Sequence, residues 1–441
     1  MLKTSIHFPA GFLWGTATAS HQVEGGNTNN NWYQWENQDG NIKDHGKSGL
    51  ACNWWGGKWK EDLDRAAETH QNAHRLSIEW SRVQPSPDRW DEDALEYYRQ
   101  IIRGMVERKL EPMVTLHHFT DPLWLTELGG WETDAVIPLF DRYVKKVVEA
   151  LAEYAHIWVT INEPNVYIWG GYMGGGFPPG KNDMNLGLQV MANMLRGHAA
   201  AYRTIHAIQP QARVGFALNY RDLQPARPWF GPDRWMAGIQ SKIYNETFAG
   251  AIKTGKLDAV FKKITLPEAA GTQDYLGINY YTGDLVSFDL SAGNEMFGRR
   301  STPPGAEMSE TGFIANVPPG IFRALHWARK FDVPLMVTEN GVEDSEDRLR
   351  PQYLVEHLEQ VWRAANYNYR VEGYFHWSLV DNFEWERGWT QHWGLWGLDQ
   401  STQARIRRPS VDLYSAICAE NGLTYEMVER WAPKALERIF K

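Results

Sequence analysis

The chain of 441 residues has only two cysteines, Cys52 and Cys418, and no Cys-x-x-Cys spacing. Neither a disulfide framework nor a cysteine-bound zinc site is therefore implied. Two reduced thiols in a cytoplasmic protein is the simpler reading. Long apolar runs are missing as well. None approaches the ~20 residues that a membrane-spanning helix needs. The opening segment, "MLKTSIHFPAGFLWG", carries one lysine, but Pro9 and Gly11 interrupt any apolar stretch. No secretory signal is expected from it. Excess positive charge is also absent: 45 Lys and Arg stand against 54 Asp and Glu, a net charge of −9. Such a surface repels phosphate backbones and anionic lipids, which excludes nucleic acid and membrane as expected partners. Linkers are lacking too. The one sustained turn-rich run, "GGYMGGGFPPGKND" (170–183), reads as a long loop, because periodic segments resume on both sides. Residues 1–441 are expected to form a single domain.

What is abundant is tryptophan, 22 residues, with 19 Tyr and 17 Phe. Any single one is by default a core residue. Collectively they also suit sugar binding. A pyranose presents polarised C–H groups to the electron-rich ring face, and an indole N–H can reach a hydroxyl.

Along the chain, strand-like and helical patterns alternate. Strand-like runs occur at 12–20, 73–81, 111–119, 156–164, 212–220, 274–281, 334–340 and 371–381. Between them, apolar residues recur at steps of three and four. Leu95, Tyr98, Ile101, Ile102 and Met105 do so in 93–107, and Phe140, Tyr143, Val144, Val147 and Leu151 in 136–151. A third stripe, Leu354, Leu358, Val361, Trp362 and Ala365, lies in 354–365. These steps are the helical period. Eight strands alternating with helices predict an α/β fold, a single (β/α)8 TIM barrel with elaborated βα loops. An open doubly wound sheet fits less well, because no dinucleotide fingerprint is present.

Two strands end unusually. "IWVTINEPNVY" (157–167) begins as a buried strand and finishes on Asn162, Glu163 and Pro164; "PLMVTENGVED" (334–344) finishes on Glu339 and Asn340. In a barrel the C-terminal strand ends form the active-site rim. Two carboxylates would then share one face. Glycoside hydrolysis uses two opposed carboxyl groups and needs no metal, one protonated to serve the leaving oxygen and one ionised. Arg75, near the end of the second strand, and Tyr281, ending "GINYY", are placed to favour the charged form of Glu339. Glu163 is then the acid.

The set "TINEP" and "VTENG", with "GFLWGTATASHQVEG", "HRLSIEWSR", "TLHHF", "GGW", "LGINYY" and "WSLVDNFEWERG", resembles glycoside hydrolase family 1 over nearly the whole chain. The resemblance implies a (β/α)8 barrel and retaining hydrolysis of β-linked glycosides, with no cofactor and no metal. It implies Glu163 as acid/base and Glu339 as nucleophile, with Asn279 and Tyr281 flanking the latter. It further implies that Gln22, His118, Asn162, Glu384 and Trp385 bind hydroxyls of the non-reducing sugar, over a platform formed by Trp377. Phe119 and Thr120 stand where Trp and Asp are more usual in the family. Expected partners are small β-glycosides or short oligosaccharides, glucosides first, with galactosides and fucosides also accommodated. A phosphorylated sugar is disfavoured, because Glu384 would repel it and no lysine lies between residues 382 and 400.

His117 and His118 point to opposite faces of a regular strand, which argues against a metal pair. The segment 175–182 nearly matches a phosphate-binding loop but has Asn182 where Ser or Thr is required, and Pro178 and Pro179 remove two N–H donors. Asn245-Glu246-Thr247 is a glycosylation sequon taken as chance. A transglycosylase using the same covalent intermediate is an alternative. A non-catalytic sugar-binding barrel is disfavoured, because both carboxylates are present.

Overall fold

A computed structural model describes residues 4–440. Eight parallel strands form its centre: β1 (Leu13–Ala17), β2 (Ala73–Ser77), β3 (Glu111–Thr115), β4 (Ile157–Asn162), β5 (Arg213–Pro225), β6 (Tyr275–Phe288), β7 (Leu335–Asn340) and β8 (Val371–Trp377). Each pairs in parallel with its neighbour, and β8 pairs back onto β1, with Tyr374 opposite Trp14. The sheet is therefore a closed barrel, as the alternating pattern predicted.

One helix returns the chain after each strand: α1 (Trp59–Glu68), α2 (Glu92–Glu107), α3 (Val136–Leu151), α4 (Met184–Ile208), α5 (Thr247–Thr254), α6 (Pro319–Ala328), α7 (Arg350–Asn366) and α8 (Ser410–Glu420). The apolar stripe of α3 is buried in full, from Phe140 to Leu151. The Asp91 carboxylate caps α2 by accepting from the Ala94 N–H at 2.9 Å, and Asp183 caps α4 likewise. Every residue of β4 and β7 is buried, as strands covered on both faces must be.

Several strands are shorter than their sequence patterns. Runs predicted to 81, 119 and 381 leave the sheet at Ser77, Thr115 and Trp377. Beyond these points the chain turns into the rim loops, where apolar residues pack against other loops rather than in the sheet. Conversely, β5 and β6 run past the rim and pair with each other as far as Pro225 and Val286. A short strand, Gly298–Ser301, adds antiparallel to β6 there. A separate small apolar cluster of Leu223, Met236, Ala237 and Val286 holds this overhang together. The turn-rich run 170–183 begins inside a π-helical turn, Trp169–Met173, before becoming a loop. Asn245 of the sequon is fully buried and donates to the Arg221 carbonyl, so a glycan has no access to it in the fold.

Candidate active site

The strand ends surround an open cleft. His118, Asn162, Glu163, Tyr281, Glu339, Trp377, Glu384 and Trp385 all line it. The other three residues predicted for the site stand behind the wall. Arg75 and Asn279 are fully buried beneath the carboxylates, and Gln22 sits beneath Glu384, donating to its Oε2 at 3.2 Å.

The two glutamates have different neighbours. Arg75 Nη1 donates to Glu339 Oε1 at 2.6 Å, and the Tyr281 hydroxyl donates to Glu339 Oε2 at 2.6 Å. A cation and a short hydroxyl bond both favour the ionised carboxylate. Glu163 receives only neutral donors: Asn279 Nδ2 at 2.8 Å and Asn219 Nδ2 at 2.9 Å, both on Oε1. Asn279, expected beside Glu339, stands opposite it in the sheet and helps to lower it, while its Nδ2 also donates to Glu163 Oε1 and to Asn162 Oδ1.

Burial and then the charge of Glu339 push Glu163 up to about 8. Burial also raises Glu339 above the ordinary carboxylate range; Arg75 and then Tyr281 pull it back. The expected pull of Arg75 is present, but burial outweighs it. The cation at 2.6 Å still makes Glu339 the first of the pair to ionise, so Glu163 titrates against a neighbouring negative charge.

Asn162 organises the far side. Its Oδ1 accepts from Arg75 Nη2 at 2.6 Å and from Asn279, which orients the amide so that Nδ2 donates to His118 Nε2 at 3.0 Å. Burial first, with the Arg75 and His117 charges, holds His118 neutral, so its proton resides on Nδ1. His118 stacks on Trp377 and Trp385, with centroids 6.1 and 6.0 Å apart. His117 points elsewhere and bonds Asp121, so the two histidines do separate, although both lie past the end of β3 at Thr115 and the rim loop, not strand parity, sets their directions.

Burial, and then the charges of Glu386, Glu339 and Glu163, push Glu384 well above the ordinary range. That shift is toward the neutral acid and away from the carboxylate. Among the described residues, no group of three or more His, Cys, Asp or Glu side chains is arranged to hold a metal ion. Lys181 of the loop that nearly matches a phosphate site is engaged by Glu132 at 2.6 Å.

Three cleft residues, Glu163, Phe119 and Trp385, take left-handed backbone conformations with φ of 43°, 67° and 47°. Each costs about 1–3 kcal/mol and persists only where its surroundings dictate it. Pro164, which opens the short helix Pro164–Ile168, helps to fix the turn at Glu163.

The chain matches the family described as "Glycosyl hydrolase family 1" over residues 4–423. It belongs to that family. β-Glucosidase A of Thermotoga maritima is 32% identical over 445 residues, covering 94% of this chain and 98% of that one. Among solved structures, a β-glycosidase from Pyrococcus horikoshii superposes with a TM-score of 0.91 at 34% identity, covering 97% of this chain and 98% of that one. The Thermotoga maritima β-glucosidase in complex with glucoimidazole gives 0.90 at 30% identity, covering 95% and 100%.

Some contributors to this family 1 cleft were not singled out from the sequence. Asn219 is the clearest. It is the last residue but one of the fifth strand run, "ARVGFALNY", a polar residue where that run nears the rim, although β5 itself continues to Pro225. The Tyr244 hydroxyl donates to Asn219 Oδ1 at 3.0 Å and orients it. Phe177, Phe313, Glu386 and Trp393 reach the cleft from loops, where no periodicity marks them.

Proposed function

We propose that this family 1 enzyme is a retaining β-glycosidase that removes terminal non-reducing β-D-glucosyl residues, and also accepts galactosides and fucosides. The observation that carries the reading is the unequal treatment of the two carboxyls: a cation and a hydroxyl on Glu339, only amides on Glu163. In the first step Glu339 attacks the anomeric carbon. The bond from that carbon to the leaving oxygen breaks as Glu163 gives that oxygen its proton. Formation of the ester neutralises Glu339 and removes the charge that raised Glu163. Glu163 can then take a proton from water, which attacks the anomeric carbon and expels Glu339. Trp377 serves as the platform beneath the sugar. Asn162 donates to its 2-hydroxyl, and Gln22 and Glu384 hold its 4-hydroxyl, Glu384 becoming the acceptor once substrate hydroxyls surround it.

The substrates we infer are small β-glycosides or short oligosaccharides. The continuous main apolar core, running from Ile6 to Ala435, supports reading the chain as one catalytic domain. Both cysteines are buried and unbridged, which supports a reducing, cytoplasmic setting. No described helix is long and apolar enough to cross a membrane.

The test is the configuration of the first product. Proton NMR of early turnover on an aryl β-D-glucoside should show β-glucose before mutarotation, and Glu339→Ala should abolish turnover. Release of α-glucose, or near-normal activity of Glu339→Ala, would overturn the assignment.

A further inference from the structure

A second cavity, of about 200 Å³, stands beside the cleft and shares none of its lining residues. Asn31, Asp121 and Tyr167 form its buried back wall, and Gln34 and Gln38 stand exposed at its mouth. Trp35 belongs to the lining, and its indole Nε1 is buried and finds no acceptor among the described residues. A buried donor without a partner is costly, and in a native fold it signals a water or a ligand that completes it.

Two features suit the cavity to more than one water. A single water needs about 10–15 Å³ of such space, and the cavity offers many times that. Its walls are also fixed beforehand. Gly180 lies so close to the six-membered ring of Trp35 that an added Cβ would meet Cη2 at 2.8 Å. Behind it, Asp121 Oδ1 accepts from His117 Nε2 and from Trp131 Nε1, both at 3.1 Å. Asp121 Oδ2 accepts from the Tyr167 hydroxyl at 2.6 Å and from Asn31 Nδ2 at 3.4 Å. Side chains held this way need little further ordering to bind, so the indole N–H is pre-organised.

The charges narrow the occupant. Among the described residues no Lys, Arg or His lines the cavity, whereas two carboxylates, Asp121 and Glu132, do. Anions are therefore repelled. Cations are not called for either. Asp121 is met by its four donors, and both Glu132 oxygens accept from Lys181 Nζ, at 2.6 and 2.7 Å. The unused group is a donor, which needs an acceptor. A neutral molecule rich in hydroxyls meets these demands. Its oxygens accept from the indole N–H, and its protons reach the amide oxygens of Gln34 and Gln38. The volume lies below the ~300–1,000 Å³ of a site for a drug-sized molecule, and so suits a single sugar ring.

We propose that this cavity is a second, non-catalytic site that binds a neutral monosaccharide, with the Trp35 indole N–H as its anchoring donor. It stands apart from the cleft but backs onto the same wall. Phe119, Val166 and Phe177 line the cleft, and their near neighbours Asp121, Tyr167 and Pro178 line the cavity. The short helix Asn31–Glu36 serves both sides: its Trp32 packs on Phe177 and Trp385 of the cleft, with centroids 4.9 and 4.7 Å apart, while Trp35 faces the cavity. The site is built from the cavity's own residues and holds whatever reaction the cleft performs.

The test is proton–nitrogen NMR of the whole enzyme labelled at its tryptophan indoles, titrated with D-glucose. The Trp35 resonance is assigned by its loss in Trp35→Phe, which keeps a ring beneath Gly180. In wild type that resonance should move saturably as glucose is added. Trp377 and Trp385 report the cleft separately. Gln34→Ala, at an exposed position that spares the fold, removes one amide from the mouth. It should raise the half-saturating glucose concentration at Trp35 by about three- to tenfold, the scale of one hydrogen bond. At Trp385 the change should stay below about twofold. A saturable Trp35 shift with Trp377 and Trp385 silent would uphold the second site and count against the reading of the cleft. No shift at Trp35 would mean that water alone satisfies the indole. Equal half-saturation at Trp35 and Trp385 in both proteins would mean that the cleft alone takes the sugar. An equal Trp35 response to inorganic phosphate would mean an anion site. Any of these last three results would overturn the proposal.

Discussion

Replacing Glu339 by Gln isolates the electrostatic link between the two carboxyls. The substitution keeps the shape of the side chain and removes its charge. Glu163 is pushed to about 8 by burial first and by the Glu339 charge second. A retaining pair of carboxyls stands about 5.5 Å apart. At that distance and an effective dielectric of about 20, two like charges repel by about 3 kcal/mol, or about 2 pKa units. Removing a like charge favours the ionised form, so Glu163 should fall from about 8 to about 6. The loss of charge beside Arg75 acts in the same direction, because its guanidinium is then less neutralised. The variant lacks the attacking group, so the assay must be direct: carbon NMR of labelled glutamate side chains, titrated from pH 4 to 10. Circular dichroism checks the fold, because Arg75 then remains buried with only neutral acceptors, Asn162 Oδ1 and the Thr338 carbonyl among them. A Glu163 titration still near 8 in Glu339→Gln would refute the reasoning. It would mean that burial alone raises the acid, and that forming the ester cannot convert it to a base.

Three further outcomes are expected. With Glu163 at about 8, kcat/KM on a glycoside with a poor leaving group should decline as pH rises through 8, and less steeply on an activated aryl glycoside that needs little proton assistance. Tyr281→Phe removes the 2.6 Å hydroxyl bond to Glu339, worth about 1.5–3 kcal/mol for a charged acceptor. Its kcat/KM should fall roughly 10- to 100-fold, and the acid limb of its pH profile should move up by about 1–2 units. Arg408→Met strands Asp381, which is 3% exposed and now bonded to both Arg408 nitrogens at 2.8 and 2.7 Å. Denaturant melts should show a loss of about 3–5 kcal/mol, the cost of a buried charge without its partner.

The barrel was legible because its signals are local. Strand runs and three-four apolar steps follow from burying one face of each element, and Val136–Leu151 folds over the span its periodicity predicted. Strand lengths were less legible. Whether an apolar rim residue stays in the sheet depends on which loop covers it, and that partner is distant in sequence. The overhang of β5 and β6 has the same cause, since its small core joins Leu223, Met236 and Val286 across two strands and a helix.

The site divides along a similar line. By itself the sequence marked Asn162, Glu163, Glu339, Arg75 and Tyr281 as lying at or near the C-terminal ends of strands, where a barrel builds its rim. Asn279 is implied by the family resemblance alone. Only the tertiary structure decided how they divide their bonds. Arg75 spans Glu339 and Asn162, residues 264 and 87 positions away, while Asn279 donates to Glu163. Protonation was decided there as well. Burial and neighbouring carboxylates move Glu163 and Glu384 upward, and both are properties of the assembled cleft. Hydrogen-bond partners and solvent exclusion act through space, and no spacing along the chain encodes them.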